Sequence, residues 1–261
     1  MAAIERFSLE KDLYKAMDRD ELVLYYQPKI DLETRKIVGA EALIRWLHPQ
    51  KGMIPPDKFI PIAEETGLIH QINKWVIGTA CKQNNEWAKA GIDHVRIAIN
   101  LSGYQLAGQN IASFLQESLK ENNLDPQYLE VEITESVLMQ DSDDTISTLQ
   151  EIKDMQIVIA LDDFGTGYSS LSYLTSFHVD TLKIDRSFIM GCPQQKNNIV
   201  VIKAIIAMGR SLGMKIVAEG IETDEQLEML REFGVLEGQG YLFKPPVPQE
   251  KFFALVSHGT L

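Results

Sequence analysis

Strand-like and helix-patterned segments alternate along nearly all of this 261-residue chain, and that alternation constrains its fold more than any other feature. Strand-like runs occupy Leu22–Gln27, Ile37–Trp46, Val95–Asn100, Leu129–Ile133, Ile157–Leu161, Thr181–Ile184, Lys215–Ala218 and Gly238–Phe243. Helical spacing marks Glu10–Asp20, Lys58–Thr66, Ile69–Ala90, Ile111–Asn122, Asp143–Met155, Asn198–Leu212, Asp224–Phe233 and Gln249–Ser257. Strands separated by helices can pair in parallel, because each helix carries the chain back to the starting edge of the sheet. About eight such units in roughly 250 residues fit a closed barrel better than an open doubly wound sheet. The expected fold class is α/β, a single TIM-like (β/α)8 barrel. No linker, low-complexity tract or break in composition divides the chain, so residues 1–261 read as one domain, with residues 1–20 as a lead-in helix.

Charge and cysteine usage narrow the partners. A formal net charge of −12 argues against a nucleic-acid polymer or an anionic membrane as partner. It leaves room for a small anionic substrate wherever cations reverse the local field. Cys81 and Cys192 are far apart and form no C-x-x-C pair, so a disulfide framework or zinc site is not expected and a reducing cytoplasm is. The longest apolar candidate, Ile199–Met208, contains Lys203 and is too short to span a bilayer, and MAAIERFSLE has no signal-peptide core.

Barrel enzymes carry their chemistry at the C-terminal ends of the strands. There the second strand carries Glu41, the third ends in Asn100, the fourth carries Glu132, and the fifth ends in Asp162 and Asp163. The sixth carries Lys183 and Asp185, the seventh ends in Glu219, and the eighth carries Gln239. Taken singly, each has an ordinary structural explanation. Glu41 could be salt-bridged inside the barrel, Asn100 could cap a turn, the aspartate pair could open a solvated loop, and Lys183 could neutralise one carboxylate. Those explanations would have to hold independently on strand after strand of one rim. Converging buried carboxylates repel one another unless cations lie between them. Oxygen donors without His or Cys select hard ions such as Mg²⁺ or Mn²⁺, and adjacent aspartates suit two ions about 3.5–4 Å apart.

Two motif matches fail on context. GTGYSS, Gly165 to Ser170, has Ser170 where a dinucleotide fingerprint needs its third glycine, and two aspartates precede it. GRSLG, Gly209 to Gly213, ends a helix and precedes a strand, the reverse of an esterase elbow. The five histidines, His48, His70, His94, His178 and His258, show no ligand spacing.

These residues carry a family resemblance. EAL at Glu41–Leu43 with IRWLHP after it, YYQP from Tyr25, NLS from Asn100, EITE from Glu132, DDFGTGYSSL from Asp162, KIDR from Lys183, VAEGIET from Val217 and GQGYLFKPP from Gly238 together resemble the EAL domain, the cyclic di-GMP phosphodiesterase of bacterial signalling. The resemblance implies a TIM-like barrel whose first strand runs antiparallel to the rest. It implies hydrolysis of cyclic di-GMP to linear pGpG, with two Mg²⁺ or Mn²⁺ ions as cofactor and Ca²⁺ as inhibitor. It assigns Glu41, Asn100, Glu132 and Asp162 to one metal, and Asp162 and Asp163 to the other, with Glu219 as a second-metal ligand or base. Lys183 would position the attacking water and Gln239 would bind its network. Arg45, Gln27, Leu43, Asp185, Glu222 and Tyr241 would contact the substrate, although Leu43 and Tyr241 fit plain barrel packing equally well. Glu135 would anchor the loop Phe164–Leu171, which leads toward a homodimer contact. A non-catalytic cyclic di-GMP receptor is the alternative reading. The segment Met1–Glu10 reads as the remnant of a linker from an upstream sensor or diguanylate-cyclase domain, so the chain could belong to a larger, even membrane-anchored, protein.

Overall fold

The computed structural model describes residues 3–93, 95–106, 111–138, 143–165 and 179–258. Among these the strands are β1 (Leu22–Asp31), β2 (Ile37–His48), β3 (Gly52–Ile54), β4 (Arg96–Asn100), β5 (Leu129–Thr134), β6 (Val158–Phe164), β7 (Thr181–Ile184), β8 (Lys215–Ala218), β9 (Glu237–Gly238) and β10 (Val247–Pro248). Parallel pairs run in the order β2, β4, β5, β6, β7, β8, β9. β1 closes this ring by pairing antiparallel with both β2 and β9. The expected TIM-like barrel is therefore present, and its first strand opposes the others. Closure gives each strand of the ring a hydrogen-bonded neighbour on both sides. β3 folds back on β2 as a hairpin, and β10 joins β1 beyond the end of β9.

The pleat sorts side chains into two layers. On β5, Leu129, Val131 and Ile133 share one face, and Glu130 and Glu132 share the other. Lys29 of β1 reaches both glutamates, although β1 and β5 are not neighbours in the sheet. Only a path across the lumen permits that contact, so the carboxylate face points inward. The aliphatic face packs outward against helices, among them Ile69–Lys89, Ile111–Glu121 and Lys196–Ser211. Each fully buried Leu or Ile in that outer layer contributes roughly 1.5–3 kcal/mol. No helix of the described residues is long and apolar enough to cross a membrane.

Several boundaries differ from the sequence pattern. The lead-in helix is Ala3–Ala16 rather than Glu10–Asp20, because the chain turns back at Asp20, whose φ is 53°, and Glu21 N–H donates to Ala16 O. β1 continues through Pro28 to Asp31. Proline is tolerated there because β1 faces β10 at Tyr25–Tyr26 and β9 at Ile30–Asp31, so Pro28 lies in the gap and owes no N–H to that side. The expected last strand Gly238–Phe243 shrinks to Glu237–Gly238. At Gly240 the backbone touches that of Ile221, where an added Cβ would stand 2.1 Å from Ile221 O. Leu242 N–H then donates to Ile221 O and Lys244 N–H to Gly240 O, which turns the chain out of the sheet. Residues 166–171 of the loop Phe164–Leu171, with most of the GTGYSS match, lie outside the described residues, as do His94 and His178.

Candidate active site

The strand period delivers one polar side chain after another to the C-terminal rim. Glu41 leaves β2, Asn100 β4, Glu132 β5, Asp162 β6 and Lys183 β7, while Glu219 and Gln239 follow directly on β8 and β9. Lys183 is fully buried and stands at the centre. Its Nζ lies 2.6 Å from Glu132 Oε2, 2.7 Å from Glu219 Oε1, 3.0 Å from Asp162 Oδ2 and 3.8 Å from Glu41 Oε2. Gln239 Nε2 donates to Glu41 Oε2 at 2.6 Å and to Glu219 Oε1 at 2.9 Å. Asn100 Nδ2 donates to Glu41 Oε1 at 2.9 Å. The structure thus brings Glu41, Asn100, Glu132, Asp162, Lys183, Glu219 and Gln239 together.

Electrostatics follow from four carboxylates facing one ammonium. Burial alone would pull Lys183 down, but Glu132, Glu219, Glu41 and Asp162 outweigh it and hold the ammonium well above its usual range. Burial would push Glu132 up, but Lys183 and Lys29 bring it down to about 2. Glu41 and Glu219 have less compensation. Burial raises both, and Glu219 reaches about 8. The cluster carries more negative charge than its lysines neutralise.

That surplus fits a divalent cation. Glu41, Glu132 and Asp162 each offer an oxygen, and these atoms lie within 4.8 Å of one another. The Gln239 amide is oriented by the two carboxylates it donates to, which leaves its buried Oε1 without a hydrogen-bond partner. An orphaned acceptor beside converging carboxylates calls for a cation or its water.

Asp163 stands apart from this cluster. It is exposed, its φ is 55°, and the β6–β7 register slips between Leu161 and Phe164. The strand outlasts the apolar run Ile157–Leu161 and carries both aspartates at its end, as expected. β6 runs on through both aspartates, and the slip lets adjacent residues approach one rim where a regular strand would set them on opposite faces. Partial desolvation of its carboxyl, then the charges of Asp162 and Asp185, raises Asp163.

The residues expected to contact substrate differ in their surroundings. Leu43 lines a cavity of about 430 Å³ together with Asn100, Pro56, Ile60, Glu64 and Asn73. Arg45 is half-buried with its guanidinium carbon 5.8 Å from the Tyr25 ring centre. Gln27 donates to Lys244 O at 3.3 Å. Asp185 Oδ1 accepts from the Ser187 N–H at 3.0 Å and so caps the short helix Arg186–Ile189. Glu222 and Tyr241 are exposed. Glu135 accepts the Gly165 N–H at the edge of the site.

The sequence reading missed Lys29 and Glu130. Lys29 Nζ donates to Glu130 Oε1 at 2.5 Å and to Glu132 Oε1 at 2.7 Å, below the rim. The spacing of Glu130 and Glu132 in LEVEI was a usable signal, since residues two apart share a strand face.

A model of the EAL domain family matches residues 10–246. The chain belongs to the EAL domain family. Among EAL relatives, the bifunctional diguanylate cyclase/cyclic di-GMP phosphodiesterase MucR of Pseudomonas aeruginosa is 43% identical over 255 residues, 98% of this chain and 37% of the relative. The cyclic di-GMP phosphodiesterase NbdA of the same species is 40% identical over 246 residues, 94% of this chain and 31% of the relative. This EAL chain spans about a third of the length of such relatives, 30% and 37% in two further cases. The MucR phosphodiesterase structure in complex with c-di-GMP superposes with a TM-score of 0.90 at 43% identity, covering 94% of this chain and 99% of that one. The EAL enzyme Bd1971, bound to cAMP and cyclic di-GMP, gives a TM-score of 0.92 at 33% identity, covering 98% of this chain and 70% of that one.

Proposed function

We propose that this EAL domain hydrolyses one phosphodiester bond of cyclic di-GMP to give linear pGpG, with two divalent cations, Mg²⁺ or Mn²⁺, as cofactor. The observation that carries the reading is the group of four carboxylates around Lys183 at the C-terminal rim, where negative charge exceeds positive. The names of the relatives and the c-di-GMP complex of MucR support the choice of substrate.

Glu41, Asn100, Glu132 and Asp162 would hold one cation. Asp162, Asp163 and Glu219 would hold the other. Cations there would supply Lewis-acid charge to the phosphoryl group. The protein's own residues do the rest. Lys183 Nζ, fixed by Glu132 and Glu219, offsets charge that develops on the phosphoryl oxygens. Glu219 Oε1 is held by Lys183 and Gln239, and Oε2 is the atom that receives a proton from the attacking water. The water oxygen forms the new P–O bond, the P–O3′ bond breaks, and the 3′-oxygen leaves and takes up a proton. Arg45 grips a phosphate with its fork of N–H donors, and Gln27, Leu43, Asp185, Glu222 and Tyr241 surround the nucleosides.

Residues 1–261 act as one catalytic domain in this reading, in the cytoplasm and as a homodimer, and Ca²⁺ inhibits. The exposed Val200 and Val201 on the helix Lys196–Ser211 support self-association. The test is incubation with cyclic di-GMP, with Mg²⁺ or with chelator, followed by chromatography. Linear pGpG that forms only with Mg²⁺ is the expected result. Binding without product would move the protein to a receptor role.

A further inference from the structure

Each of the three clustered carboxylates keeps one oxygen tied to the frame and presents the other to the Lys183 centre. Asp162 Oδ1 accepts its neighbour's backbone N–H at 2.9 Å, and Oδ2 faces Lys183. Glu41 Oε1 accepts from Asn100, and Oε2 faces Gln239 and Lys183. Glu132 Oε1 accepts from Lys29, and Oε2 faces Lys183. Of the three tethers, one is backbone and one is itself an expected ligand. Lys29 is neither.

Lys29 is placed to make this contact. It is 4% exposed, it enters from β1, and its stem crosses the lumen to β5. Gly39 of β2 is its partner in register, and the Lys29 stem packs beside it. A Cβ there would stand 3.7 Å from both Lys29 Cβ and Lys29 Cδ. Glu130, two residues before Glu132, holds the ammonium from the other side. Glu130 and Lys29 form a neutral pair, so together they add no net charge beneath the site.

We propose that Lys29 sets cation selectivity by occupying Oε1 of Glu132, which restricts Glu132 to one ligating oxygen. The inference rests on reading the carboxylate cluster as a divalent-cation site. Ca²⁺ takes six to eight oxygens and readily accepts two from one carboxylate, whereas Mg²⁺ and Mn²⁺ favour six single-oxygen contacts. A frame that offers one oxygen per carboxylate therefore penalises the larger ion. Lys29 is a positioning residue, since it acts through Glu132.

The test measures Mn²⁺ and Ca²⁺ binding by calorimetry on metal-stripped protein, for the unchanged chain and for the Lys29→Met/Glu130→Gln double variant. The double variant keeps net charge, and a ratio between two divalent ions cancels what electrostatic change remains. The Ca²⁺-to-Mn²⁺ ratio of dissociation constants should fall about tenfold in the double variant, the usual scale for loss of an outer-shell partner. An unchanged ratio in a variant with a cooperative melt overturns the proposal. Glu130→Gln alone leaves Lys29 on Glu132 and should keep the ratio. If that single variant collapses it, the proposal falls, whether or not the double variant folds. Failure of the unchanged protein to bind either ion would overturn the cation site itself and this inference with it. Binding with an intact ratio overturns only the role of Lys29.

Discussion

Glu135 Oε2 accepts the backbone N–H of Gly165 at 3.0 Å, joining the residue that follows β5 to the residue that follows β6. Glu135 is 6% exposed, so this acceptor is screened from water. The contact ties the strand that carries Glu132 to the strand that carries both aspartates. Glu135→Ala leaves a part-buried N–H without this acceptor, a cost of about 1 kcal/mol. It should also weaken Mg²⁺ binding about tenfold while Glu135→Gln, which keeps an acceptor oxygen, stays within a few-fold. Calorimetric titration of the metal-stripped variants checks this. Full activity and full metal affinity in Glu135→Ala would show that the tie does not support the site.

Lys183 has no room for a replacement. Lys183→Met removes the ammonium from among four carboxylates, and turnover should fall by at least about 10²–10³. Breaking a buried pair costs roughly 3–5 kcal/mol, so the variant should also melt lower. Saturating Mg²⁺ should restore much of the melting temperature and none of the rate. Recovery of the rate would mean that the amine has only a charge-balancing role.

The metal-free protein should lose stability as pH rises. Burial, against the pull of Lys183, holds the Glu219 carboxyl up to about 8, and burial raises Glu41 as well. A carboxyl with a raised folded-state pKa binds a proton that the unfolded chain has already lost. Its contribution is full below the ordinary carboxylate range and disappears as pH climbs through about 8. The melting temperature without metal should therefore drop between about pH 4.5 and pH 8, and Glu219→Gln should flatten the drop. Saturating Mg²⁺ should remove it too, since a cation then replaces the proton. A metal-free melting curve indifferent to pH in this window would contradict the charge surplus.

Gly240→Ala tests the turn that presents Gln239. The new methyl group would meet the oxygen, nitrogen and carbonyl carbon of Ile221 at 2.1, 2.3 and 2.6 Å. Backbone cannot yield as a side-chain tip can, so the loop must shift, at a cost of about 1–3 kcal/mol. Gln239, next in sequence, moves with it and loses its double contact to Glu41 and Glu219. Activity should fall more than stability does. Wild-type kinetics in this variant would show that the Gln239 position is not critical.

The order of the strands and the residue each brings to the rim were legible in the local sequence pattern. Glu41, Glu132, Asp162 and Lys183 could be placed because the two-residue strand period is set by short-range sterics that any local stretch carries. The reach of β1 through Pro28, the early end of the last strand and the slip at Asp163 were not local. They depend on what stands opposite, and opposite Pro28 stands the gap between β9 and β10. Tertiary structure alone decided which oxygen of each carboxylate is tied and which is presented. Lys29 meets Glu130 and Glu132 across 101 and 103 residues of chain, and only the closed barrel brings them together. Burial then turns that meeting into a constraint, because buried carboxylate oxygens must find donors and the lumen offers few.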